Sequence, residues 1–99
     1  MGTVSPFSDQ RQPKGYGALI VDDQRIMRMV LASILNDAGI PILGQAANGL
    51  EALELYVQLK PKVVLLDLIM PVMDGFSTME KIFAYDPKAN IVICSSMQH

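Results

Sequence analysis

A chain of 99 residues, 51% of them hydrophobic, is long enough for one small domain with a buried core and too apolar for a disordered tail. Eight Lys and Arg against ten Asp and Glu leave a net charge of −2, which argues against a basic surface for nucleic acid or an anionic membrane. Apolar runs such as residues 63–66 fall far short of the roughly 20 residues that a membrane-spanning helix needs, and a single cysteine, Cys94, without a signal-peptide pattern points to a reducing, cytoplasmic setting.

Residues 1–17 mix Gly2, Pro6, Pro13, Gly15 and Gly17 with polar residues and lack periodicity, so they read as a flexible leader before a folded unit over 18–99. The run Ala18, Leu19, Ile20, Val21 predicts a first strand covered on both faces. Met27, Val30, Leu31, Ile34, Leu35 and Ala38 then recur at helical spacing, while Arg25, Arg28, Ser33 and Asn36 fall off that face. Gly39 and Pro41 end this helix, and residues 42–47 predict a weaker second strand. Asn48, followed three residues later by Glu51, has the form of a capping box and opens a second helix expected to turn Leu50, Leu53 and Val57 inward.

Pro61 stops that helix, and residues 63–66 predict a third strand that ends abruptly at Asp67. After a loop over 68–75, Asp74 is the expected N-cap of a third helix with Phe76, Met79, Ile82 and Phe83 on its apolar face, closed by Asp86 and Pro87. Residues 91–94 predict a fourth strand. Strands alternating with amphipathic helices imply an α/β protein built on a parallel sheet.

Acids stand at two of the strand ends: Asp22 and Asp23 after the first, Asp67 after the third. In a doubly wound sheet, right-handed crossovers place the first strand between the second and third, so these ends meet at the switch point. Three carboxylates in one pocket repel unless protons or a cation neutralise them, and hard oxygen ligands of this kind suit Mg²⁺. Taken singly, each Asp could equally cap a helix or start a turn; it is the set of three that predicts a metal site. Ser95 and Ser96 follow the fourth strand on the same sheet edge, where a hydroxyl could donate to an oxyanion near Asp67 or close a local turn.

Over residues 18–99 the sequence resembles the receiver domains of two-component response regulators, most of all the single-domain chemotaxis type. The resemblance rests on Leu19-Ile20-Val21-Asp22-Asp23, on Asn48-Gly49-Leu50-Glu51-Ala52, on Leu65-Leu66-Asp67-Leu68-Ile69-Met70-Pro71 leading into Met73-Asp74-Gly75, and on Ile91-Val92-Ile93-Cys94-Ser95-Ser96. It implies a flavodoxin-like, doubly wound parallel sheet, β1-α1-β2-α2-β3-α3-β4 in strand order 2-1-3-4. The family's fifth strand, with its lysine, and its flanking helices have no matching segment, so the expectation is a receiver truncated after the fourth strand.

The resemblance further implies that Asp67 accepts a phosphoryl group from a sensor histidine kinase or a small phosphodonor. Asp23 would ligate Mg²⁺ directly, Asp22 mainly through water, and Asp67 and the backbone carbonyl of Ile69 would complete the protein ligands. Ser95 corresponds to the switch hydroxyl, and a downstream protein target would read the altered surface. Such a domain is a signalling module rather than an enzyme, acting only on its own phosphorylation and dephosphorylation. A phosphatase of the haloacid dehalogenase type fits poorly, because it needs a second acid where Ile69 stands. The competing expectation is a degenerate receiver that serves as an interaction module. An open edge on the fourth strand, with partly uncovered sheet faces beside it, favours a two-fold homodimer in either case.

Overall fold

The computed structural model describes residues 15–70 and 73–94. In chain order the elements are β1 (Gly15–Val21), α1 (Arg25–Asp37), β2 (Ile42–Ala46), α2 (Gly49–Leu59), β3 (Pro61–Leu66), α3 (Gly75–Tyr85) and β4 (Ile91–Ile93). The strands form one sheet in the order β2-β1-β3-β4, and every neighbouring pair is parallel. This is the flavodoxin-like order expected from the sequence.

β1 begins three residues before its apolar run, which moves residues 15–17 from the predicted leader into the sheet. Backbone pairing makes a strand, and Gly15 already pairs with Pro61 of β3. Gly17 is required by close approach: a Cβ there would stand 2.5 Å from the Pro41 carbonyl oxygen. Residues 1–14 of the predicted leader lie outside the described residues.

The two sheet faces are covered differently. Leu19, Val21, Val64 and Leu66 pack beneath Ala52 and Tyr56 of α2 and Ile82 of α3. Ala18 and Ile20 point the other way and pack against Leu35 of α1, with Leu31, Val63 and Leu65 around them. Residues 18–21 are fully buried, as a central strand covered on both faces requires. At the sheet edge Val92 and Ile93 of β4 remain 47% and 43% exposed.

The helix faces depart from the apolar pattern. On α2 the fully buried residues are Gly49, Ala52 and Tyr56; of the expected Leu50, Leu53 and Val57, Leu53 packs partly buried against the core while Leu50 and Val57 are exposed. On α3 they are Gly75, Thr78 and Ile82, whereas Phe76 and Phe83 are exposed. Small residues let the helix starts pack closely on their neighbours: a Cβ on Gly49 would collide with Thr78 Oγ1 and stand 2.7 Å from Met73 Cβ. Tyr56 then fixes the rotation of α2, because its hydroxyl donates to Asp86 Oδ2 at 2.7 Å and its ring meets Tyr85 edge-on at 6.2 Å. A buried phenol needs such a partner.

Burial, and then the Asp86 carboxylate, pushes the Tyr56 phenol well above its ordinary range. The folded state therefore holds this proton more tightly than the unfolded one, a contribution fully present below about pH 10 and lost as pH rises through the folded value. Tyr56→Phe is expected to cost about 1.5–3 kcal/mol, the scale of a hydrogen bond to a charged group. Denaturant unfolding at pH 7 and at pH 10.5 measures that cost and its decline.

Candidate metal centre

The register of the sheet builds the site. Val21 pairs with Leu66, so the next residue on each strand, Asp22 and Asp67, emerges side by side at the carboxyl edge. Both are still held by the ladder: Asp67 N–H donates to the Val21 carbonyl at 2.9 Å and Asp22 N–H to that of Ala46 at 3.1 Å. Each side chain then folds back on its own loop. Asp22 Oδ1 accepts from Gln24 N–H at 2.9 Å and Asp67 Oδ1 from Ile69 N–H at 3.2 Å, turns that Asp forms readily.

One carboxylate oxygen from each of Asp22, Asp23 and Asp67 falls within 4.8 Å of the others. Asp22 is 2% and Asp67 8% exposed, while Asp23 opens to solvent. Burial pushes the Asp22 carboxyl above the usual carboxylate range; the Gln24 N–H and the Arg28 guanidinium pull it back, and the charges of Asp67 and Asp23 add to the rise. Two buried carboxylates beside an exposed one make an all-oxygen donor set whose negative charge a single nearby guanidinium, Arg28, offsets only in part. That chemistry fits a hard divalent cation such as Mg²⁺.

The loop behind Asp67 is closed by α3. Gly75 N–H donates to the Leu68 carbonyl at 2.8 Å. A Cβ on Gly75 would collide with Leu68 Cα and lie 2.5 Å from the Asp67 carbonyl oxygen, so only glycine lets the helix start there. Asp74 caps the helix as expected, accepting from Ser77 N–H at 2.8 Å. The predicted capping box of α2 forms with one change: Asn48 accepts from Glu51 N–H, but Glu51 reaches back to Ala47 N–H.

The structure thus brings Asp22, Asp23 and Asp67 together and leaves the Ile69 side chain 65% exposed beside them. Ser95 and Ser96 lie outside the described residues. Cys94 follows β4 and is half-buried, its N–H on the Leu66 carbonyl; burial and the nearby Asp22 and Asp67 raise its thiol pKa, which keeps it protonated and unreactive. Two contributors escaped the sequence reading, Gln24 and Arg28, whose Nη1 donates to the Asp22 carbonyl at 2.7 Å, while Gly75 figured there only as part of a motif and without its steric role. The available signal for Arg28 was a cation one turn into α1 behind an acidic pair.

Comparison with known proteins bears on the same residues. The family description "response regulator receiver domain" matches residues 18–99. Chemotaxis protein CheY of Thermotoga maritima is 46% identical over 83 residues, which are 84% of this chain and 69% of that protein. Among solved structures, the CheX–CheY–BeF3–Mg complex from Borrelia burgdorferi matches with a TM-score of 0.81 at 30% identity, covering 89% of this chain and 67% of the other. Response regulator protein TrrA of Thermotoga maritima, in complex with Mg²⁺ and BeF, matches with a TM-score of 0.77 at 30% identity, over 83% of this chain and 70% of that one. The chain therefore spans about two thirds of the length of these relatives.

Proposed function

Because the chain belongs to the response regulator receiver domain family, we propose that it accepts a phosphoryl group on Asp67 and passes that state on as a change of surface. The observation that carries this reading is the convergence of Asp22, Asp23 and Asp67 at adjoining strand ends. Asp22, Asp23 and Asp67, with the Ile69 carbonyl, would hold Mg²⁺. When bound, that ion supplies neutralising charge for the phosphoryl oxygens.

The chain's own contribution is the nucleophile and its placement. An Asp67 carboxylate oxygen forms a bond to phosphorus as the bond from phosphorus to the imidazole nitrogen of a phosphohistidine breaks. The electron pair leaves on that nitrogen, which takes up a proton. The Ile69 N–H fixes the other carboxylate oxygen's orientation, and the exposed Ile69 side chain offers no polar atom to orient a hydrolytic water. Ser95 would donate its hydroxyl to the phosphoryl group and so couple the site to the surface beyond β4. The donors are a sensor histidine kinase or a small phosphodonor in the cytoplasm, and a protein target reads the product. Among the described residues no helix is long and apolar enough to cross a membrane.

Intact-mass measurement after incubation with acetyl phosphate tests this reading. A Mg²⁺-dependent gain of one phosphoryl group is expected in the wild type, lost with EDTA and in Asp67→Asn. An unmodified wild type under conditions that label a longer relative overturns it.

The exposed apolar edge strand supports a second reading, a domain that acts by association. Among the described residues the backbone of β4 pairs with β3 alone, and Val92 and Ile93 on it are exposed. A two-fold homodimer through β4 is the expected form, and light scattering at micromolar concentration checks it; a monomer counts against it.

A further inference from the structure

Arg28 stands outside the acidic cluster, yet it is tied to the loop that carries two of its members. Its backbone N–H makes the first helical bond of α1, to the Gln24 carbonyl at 3.1 Å, and its half-buried side chain turns back to place Nη1 2.7 Å from the Asp22 carbonyl oxygen. Asp22 is thereby held at three points. Its N–H is on β2, its carboxylate accepts from Gln24, and its carbonyl accepts from Arg28. Asp23, exposed and one residue further on, has no such anchor of its own among these bonds, so its direction depends on the peptide that precedes it, whose oxygen Arg28 holds.

We propose that Arg28 is a positioning residue for the metal centre, clamping the Asp22 carbonyl so that the Asp22 and Asp23 carboxylates converge with Asp67 on a divalent cation. The inference rests on the reading of this cluster as a Mg²⁺ site. It is separable from a simple charge effect by sign. A guanidinium near a cation site repels the cation, so a bystander Arg28 would weaken Mg²⁺ binding and its removal would strengthen it. A clamp predicts the reverse.

The test is a MgCl₂ titration of the full chain, followed by amide chemical shifts of ¹⁵N-labelled protein, with thermal unfolding in EDTA as the measure of fold. Arg28→Met is expected to weaken Mg²⁺ about tenfold, the scale for losing a group that orients a ligand. Arg28→Lys, which keeps a donor and the charge, is expected to recover most of that loss, and neither variant shifts the EDTA midpoint by more than a few degrees. Should Arg28→Met fail to fold, Arg28→Gln, neutral and too short to reach Asp22, answers the same question. Unchanged or tighter Mg²⁺ binding in the neutral variants overturns the clamp while leaving the metal site standing. A wild type whose Asp22 and Asp23 amides do not respond to Mg²⁺ overturns both.

Discussion

Gly75→Ala is expected to destabilise the fold by about 1–3 kcal/mol, the usual penalty for forcing a methyl group into filled space, and to lower Mg²⁺ affinity at the same time. The atoms in its way are all main chain: Leu68 Cα, and the Asp67 carbonyl oxygen and carbon at 2.5 and 3.0 Å. Backbone cannot swing aside as a flexible side chain does. Either the first turn of α3 unwinds, losing the Gly75 to Leu68 hydrogen bond and the Asp74 cap, or the peptide that carries Asp67 shifts. The helix propensity gained by alanine, up to about 1 kcal/mol, offsets only part of this. Urea unfolding gives the stability loss and a MgCl₂ titration the affinity loss; wild-type values for both would show that α3 can start elsewhere without disturbing Asp67.

Asp22→Asn should act in the opposite direction on stability. Burial, first among the causes, raises the folded-state pKa of Asp22 above its ordinary value. Its folding contribution is then most favourable at low pH and is lost as pH rises through the folded value, so at pH 7 an ionised, buried carboxylate beside Asp67 and Asp23 is a net cost. Asparagine removes the charge and keeps an oxygen for the Gln24 N–H. In EDTA at pH 7 the variant is expected to melt above the wild type. In millimolar Mg²⁺ the order should narrow or reverse, because only the wild type gains binding free energy. An unchanged midpoint in EDTA would show that the carboxylate is already neutralised.

Strand order, the four-strand count and the acidic triad were legible because each follows from a short-range rule. An apolar run of four residues before an acid marks a buried strand that reaches the sheet edge, and right-handed crossovers then fix which edges adjoin. Helix rotation was legible only in part: Leu53, Met79 and Ile82 face the core as expected, whereas Leu50, Val57, Phe76 and Phe83 do not. Leu50, Leu53 and Val57 share the spacing of Gly49, Ala52 and Tyr56, and hydrophobicity alone favours the former set. What decides between them is non-local: the Asp86 partner of Tyr56 lies 30 residues away. The roles of Arg28 and Gly75 were missed for the same reason, since each acts on main-chain atoms of a residue on another element or at its border. Side-chain patterns do not record such contacts.

The unequal pairing of the strands has a consequence for how the sheet opens. β1 is paired on both sides and buried on both faces, so exposing its amides to solvent exchange requires the whole domain to unfold. Among the described residues β4 pairs with β3 alone, over three residues, and carries two half-exposed apolar side chains, so its amides are expected to open at a lower free energy than those of β1. The carboxyl edge that holds Asp22 and Asp67 thus borders, at β4, the shortest strand of the described sheet, and amide exchange is expected to reach that strand well before it reaches β1.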